Sequence, residues 1–187
     1  MRTIGIGFDH PQALAPKEQR IVVLASPLPH KRTAMVVGYL KHWQQATKFQ
    51  GTIHWIGGLP QGVNLPLSLR SEHALRLDTS EYLESVARAR IVIFASEYEG
   101  FGMPPVEAVL ARTCPVFSSM PARQEVMGET GCPFLNNSYE SFAAALDKAL
   151  SVPDQELYAW AEQLLSRHNW DRVVNELLSE INTLSNR

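Results

Sequence analysis

Ile91-Val92-Ile93-Phe94-Ala95-Ser96-Glu97-Tyr98-Glu99-Gly100-Phe101-Gly102-Met103-Pro104-Pro105-Val106-Glu107-Ala108 is the stretch that decides the fold. Its first five residues are a continuous apolar run, as expected of a strand buried on both faces. A helix follows from about Pro104 to Arg112, and the two prolines suit a first helical turn, where an amide has no intrahelical partner. Gly100 and Gly102 let backbone approach a ligand closely. The free amides of Phe101, Gly102, Met103 and Val106 then crowd one helix N-terminus, which attracts anions through its exposed N–H groups and its dipole.

On either side of this unit strands and helices alternate. Ile21–Ala25 is a second doubly buried strand, and Thr33 can cap a helix running to about Phe49 with Val36, Leu40 and Trp43 on one face. Ile53–Ile56 ends at Gly57-Gly58. Residues 59–71 read as loop or short helix, Ala74–Leu77 as a strand and Ser80–Ala89 as a helix. Strands at Pro115–Ser118 and Pro133–Leu135 follow, then three closing helices. The last starts at Asn169, and its stripe of Trp170, Val173, Val174, Leu177, Leu178 and Ile181 reads as core packing. Residues 1–19 form a linker with a short first strand, Thr3–Ile6, and 20–187 form one Rossmann-like domain. The expected fold class is α/β: a Rossmann-like, mainly parallel sheet with helices on both faces. Ligands on such sheets bind beyond the carboxyl ends of the strands.

Composition narrows the function. With 187 residues, 45% hydrophobic and 19% charged, the chain can bury a core. A net charge of −2 gives no basic footprint for nucleic acid. No run reaches the ~18 apolar residues of a membrane span. The first dozen residues lack the apolar core of a signal peptide, so a cytoplasmic location is expected. Cys114 and Cys132 lie in apolar surroundings and read as buried strand cysteines rather than a disulfide framework.

Charged residues then converge on the glycine-rich turn. Glu99 and Glu107 flank it, and an ionised carboxylate offers only acceptors, which suits hydroxyl-rich partners such as a sugar or a ribose diol. Lys31 and Arg32, in Ser26-Pro27-Leu28-Pro29-His30-Lys31-Arg32, follow the first long strand and fall at the same sheet edge. Taken singly, Glu107 reads as an acidic residue in a first helical turn and Lys31 as a solvated surface lysine. Their shared edge weakens both of those readings.

Glu99, seven residues and Glu107, with Glu-Gly-Phe-Gly-Met-Pro between them, resembles the motif of family 4 glycosyltransferases, enzymes of the two-Rossmann-domain (GT-B) kind. The strand-Gly-Gly at 53–58, the lead-in TSEYLESVARARIVIFAS, Pro115-Val116, Glu125-Val126 and Asn169–Val174 fall in that family's order, so the likeness runs from about residue 20 to 181. It implies the C-terminal, donor-binding half of a retaining glycosyltransferase that moves a sugar from a nucleotide diphosphate to a glycan or glycoconjugate acceptor. The acceptor-binding N-terminal lobe would be missing, and peripheral membrane association of a whole enzyme stays open.

The resemblance also implies roles. Glu107 would bind the ribose hydroxyls. Glu99 and the amides around Phe101–Met103 would meet the transferred sugar, and Lys31 would neutralise the diphosphate. Glu125 would lie near the donor. The donor is a substrate, so no separate cofactor and no metal are expected. Departures are Pro27, where the family often has an arginine, together with Ser26, Thr113, Pro121 and Ala122 at glycine positions. Arg32, His30 or Arg123 could supply the missing charge.

No GxGxxG or GxxxxGK[ST] is present, against a dinucleotide dehydrogenase or a P-loop protein. The five aspartates form no Asp-x-Asp pair, and the six histidines show no metal-ligand spacing. A non-catalytic nucleotide- or glycan-binding module and a sugar-nucleotide epimerase are the alternatives.

Overall fold

Six strands, β1 (Arg20–Leu24), β2 (Thr52–Ile56), β3 (Ser71–Ala74), β4 (Ile91–Phe94), β5 (Cys114–Ser118) and β6 (Cys132–Phe134), pair in the order β3-β2-β1-β4-β5-β6. Every pairing is parallel. The computed structural model describes residues 5–9, 14–66 and 70–185, with 184 and 185 by backbone alone. The interleaved helices are α1 (Thr33–Thr47), α2 (Thr79–Arg88), α3 (Met103–Leu110), α4 (Pro121–Met127), α5 (Tyr139–Ser151), α6 (Asp154–Arg167) and α7 (Trp170–Ser185). The expected fold class is the one observed. α5 lies over β4, β5 and β6 beside α1, while α3 lies over β4 and β5 beside α6. The central strands β4 and β5 are buried at every position, which is why their sequences run apolar without alternation.

Several local expectations are corrected. The residues expected as strand Thr3–Ile6 lie partly outside the described set, and Gly5 and Ile6 are not in a strand. Thr33 is the first residue of α1, not its cap. Arg32 holds the cap position at φ 57°, and no side chain caps the helix. Thr33 Oγ1 instead donates to the Ser26 carbonyl at 2.8 Å and accepts from the Ser26 amide at 2.9 Å, closing the loop after β1 on itself. The third strand lies three residues earlier than its expected start. Helix α4 was not anticipated, because Pro121-Ala122-Arg123-Gln124 carries no apolar period. The described part of 59–71 is loop up to Ser71, where β3 begins.

The stripe on the last helix is the largest correction. Trp170, Val174, Leu177, Leu178 and Ile181 are 44–51% exposed, so this face of α7 is not core. Helical spacing of apolar residues reports a face that can be covered; it does not say by what.

Thr113 has a structural explanation away from the glycine-rich turn. It is fully buried and its hydroxyl donates to the Val86 carbonyl at 2.7 Å. Lys17 Nζ donates to Thr113 Oγ1 at 2.6 Å, to the Ala87 carbonyl at 2.7 Å and to the Ala111 carbonyl at 3.1 Å. One ammonium thus ties the linker to the carboxyl ends of α2 and α3, where cations are favoured. Lys17→Met leaves three acceptors short of a donor. Urea unfolding should show a loss of about 1–3 kcal/mol, with ligand binding at the opposite sheet edge unchanged.

Cys114 and Cys132 are buried as free thiols with their sulfurs 3.7 Å apart. The hydrogen bond between them, and then burial, push the Cys114 thiol up, so it is an inert core group.

Candidate functional site

The strand order reverses between β1 and β4, which opens a crevice at the carboxyl edge. The loop after β1 brings Lys31 to this crevice and the loop after β4 brings Glu99. Lys31 Nζ donates to Glu99 Oε1 at 2.5 Å, with the side chains 29% and 26% exposed. The two loops are also joined through backbone, the Glu97 amide donating to the His30 carbonyl at 2.8 Å. The His30 ring stacks on Tyr98 at 4.5 Å. Burial pushes the Glu99 carboxyl up, but hydrogen bonds from Lys31 and Ser96 and the charges of Lys31 and Arg123 outweigh it and hold it below the usual range. Glu99 is therefore ionised, and it and Lys31 largely neutralise one another.

The turn between Glu99 and α3 is shaped by Gly102, the N-cap residue, at φ 79°. Any side chain there would be strained. No side chain caps α3. Among the described residues, the amides of Gly100, Phe101, Gly102 and Met103 meet no backbone acceptor in the turns and loops. Gly100 and Met103 are exposed at this end. The fourth amide assigned to the site differs: Val106 is fully buried, so it belongs to the core and is not presented to a ligand. The Phe101 ring packs on His168 at 5.5 Å and on Phe8 at 6.0 Å, which fastens the turn to the linker and to the residues before α7.

Glu107 is the fifth residue of α3 and so stands in its second turn, not the first as its sequence suggested. Its helix therefore gives it little dipole stabilisation, which fades beyond the first turn. Glu107 Oε2 instead accepts from the Tyr82 hydroxyl at 3.1 Å. Burial, then the charge and hydrogen bond of Glu107, push the Tyr82 hydroxyl up, so it stays a donor. Tyr82 is held by α2, whose start is fixed by a capping box of Asp78 and Glu81. Sequence reasoning placed Tyr82 on a helix but carried no signal linking it to Glu107.

The remaining candidates lie around this centre. Arg32 Nη1 donates to Asn136 Oδ1 at 3.0 Å, its Nη2 bonds Asn137, and Glu97 is 3.7 Å from its Nε. It bridges the loops after β1 and β6, with its donors engaged. Glu125 is exposed on α4 and borders a cavity of about 290 Å³ together with Gly100, Phe101, His168 and Arg172.

A six-stranded parallel sheet with helices interleaved, its strand order reversing between β1 and β4, defines a Rossmann-like lobe. Residues 36–163 match the glycosyl transferases group 1 family, and the chain belongs to that family. It is 30% identical over 93 residues to the serotype-specific mannosyltransferase WbdA of Escherichia coli, covering 49% of this chain but 11% of that enzyme. Solved structures share the fold at low identity. TarM gives a TM-score of 0.72 at 14% identity over 95% of this chain and 37% of its own. The UDP-forming trehalose-phosphate synthase of Burkholderia xenovorans gives 0.72 at 13%, over 91% of this chain and 45% of its own. Sucrose-phosphate synthase of Thermosynechococcus elongatus gives 0.68 at 19%, over 91% and 46%. The chain thus spans about a tenth of the mannosyltransferase and less than half of each of these structures. No helix among the described residues is long and apolar enough to cross a membrane.

Proposed function

We propose that this chain is the donor-binding, C-terminal half of a retaining GT-B glycosyltransferase of family 4 type. Its ligand is a nucleotide-diphosphate sugar. The observation that carries the reading is the contact of Lys31 with Glu99 across the β1/β4 switch point, beside the free amides of α3. Glu107, braced by Tyr82, takes the ribose diol. Glu99 takes hydroxyls of the transferred sugar, and the amides of Gly100, Phe101, Gly102 and Met103 line both the sugar and the diphosphate that carries it. Lys31 faces the diphosphate. Arg32 orders the loop that presents Lys31, and Glu125 borders the sugar end.

In the reaction the bond from the anomeric carbon to the diphosphate oxygen breaks. The acceptor oxygen bonds to that carbon on the same face, and its proton passes to the departing diphosphate oxygen on that face. Negative charge gathers on the departing diphosphate, where Lys31 and the helix-end amides are already placed, so rate enhancement comes from positioning and electrostatics. An acceptor lobe completes the cleft. The exposed apolar stripe of α7 and the longer chains of the structural relatives support that part of the reading. Assembly of polysaccharides or glycoconjugates in the cytoplasm, with peripheral attachment to a membrane, is the proposed setting.

The 187-residue chain alone should bind a nucleoside diphosphate sugar weakly and transfer nothing. With half a cleft the reacting carbon stays open to water and no acceptor is positioned. Ligand-observed NMR against UDP-, GDP- and ADP-sugars, paired with a transfer assay, tests this. Robust transfer by the chain alone, or no binding across the panel, overturns it.

A further inference from the structure

Arg123 is the least explained charge in the molecule. It lies on α4, is 2% exposed, and is among the largest fully enclosed side chains. Its Nη1 donates to the Ser118 carbonyl at 2.9 Å, to Ser118 Oγ at 2.8 Å and, at 3.4 Å, to the Phe94 carbonyl. These contacts fix it at the carboxyl ends of β4 and β5. Its Nε is buried with no hydrogen-bond partner. Among the described residues no carboxylate forms a salt bridge with it, and its guanidinium lies over the Phe117 ring, 5.8 Å from the centroid, a contact that supplies no counter-charge. Burial lowers the guanidinium to about 10, which Glu99 partly offsets, so it is still charged at neutral pH.

A buried, unpaired cation is expensive unless an anion compensates it. The position of the orphan donor says where that anion sits. A Cβ built on Gly102 would lie 3.9 Å from Arg123 Nε. The guanidinium is therefore directly beneath the turn that opens α3, behind the amides that have no acceptor. At the mouth of the crevice Lys31 pairs with Glu99 and Arg32 with Glu97, so among the described residues Arg123 is a cation at this end of the sheet with no carboxylate at salt-bridge distance.

We propose that Arg123 is the second cation of the diphosphate site, a positioning residue that acts through the Gly100–Met103 turn rather than by contact. The inference rests on the donor-site reading above and deepens it. The intervening protein screens the charge poorly compared with water. The ligand's diphosphate, seated on the turn amides, supplies the missing counter-charge.

The test compares the wild-type chain with Arg123→Met and Arg123→Lys by calorimetry. The ligand is whichever of UDP, GDP and ADP the wild type binds best, and the matching nucleoside monophosphate is the control. Arg123→Met should weaken the diphosphate on the order of tenfold or more, lose less on the monophosphate, and flatten the salt dependence. Arg123→Lys should recover most of the affinity. A merely structural arginine would weaken both ligands alike, with no rescue by lysine, and that result overturns the inference. If Arg123→Met does not fold, the wild-type Arg123 Nε–H resonance, assigned by its absence in Arg123→Lys, decides. It should shift on diphosphate addition, and a static resonance at saturation overturns the inference. No binding by the wild-type chain sinks the donor-site reading and this inference with it. Equal diphosphate binding by wild type and Arg123→Met sinks this inference alone.

Discussion

Lys31→Met is expected to weaken nucleoside diphosphate binding on the order of thirtyfold or more, and adding Glu99→Gln should restore most of the loss. The reason is the ion pair. Removing Lys31 deletes one favourable charge and exposes another, unfavourable one, because Glu99 Oε1 is 2.5 Å from Lys31 Nζ and held in its ionised form. At an effective dielectric of about 20 and a separation of about 5 Å, each such charge–charge contribution is about 3 kcal/mol, reduced by the solvent that reaches both side chains. Glu99→Gln alone should do the reverse: it frees Lys31, so the free nucleoside diphosphate binds at least as well as before, while the sugar-bearing donor weakens through lost hydroxyl contacts. A double-mutant cycle by calorimetry reads the coupling directly. No recovery of affinity when Glu99→Gln is added to Lys31→Met would show that the pair does not face the diphosphate.

Glu107→Gln should fail differently. The substitution keeps the size of the side chain but halves its acceptor capacity, and hydrogen bonds to charged groups contribute roughly 1.5–3 kcal/mol. Free nucleoside diphosphate and nucleotide sugar should therefore weaken alike, by about tenfold or more, since both carry the ribose. Tyr82→Phe should reproduce a smaller part of the same loss. It removes the hydroxyl that donates to Glu107 Oε2 at 3.1 Å and lets the carboxylate swing away from its place in α3. If Glu99→Gln weakens the free nucleotide as much as Glu107→Gln does, the division of the two glutamates between sugar and ribose is wrong.

What could be read in the sequence follows from which forces are local. The doubly buried strands are unbroken apolar runs, and the glycines and prolines after Ala95 mark a helix start, so the sequence itself sets Glu99 and Lys31 at one sheet edge. The prolines point to a start of α3 at Pro104 with Glu107 in the first turn, but the helix begins at Met103, which puts Glu107 in the second. The Tyr82 contact joins α2 to α3 across 25 residues, and no spacing rule encodes it. In sequence Arg123 is one of three groups that could supply the missing charge, in a stretch with no expected helix; only the packing of α4 behind Gly102 shows it buried and without a salt bridge. The α7 stripe was read as core because helical periodicity cannot distinguish a covered face from one awaiting cover.

The crevice itself is tested most directly by titrating the isotopically labelled chain with its best-binding nucleotide sugar while following backbone amide resonances. Expected are saturable shifts concentrated in residues 26–33 and 97–107, the loops after β1 and β4 and the first two turns of α3. Shifts confined instead to the cavity of about 280 Å³ lined by Ala15, Lys17, Ala111 and Tyr158, at the end of α3 remote from Gly102, would contradict the placement of the donor at the β1/β4 switch point.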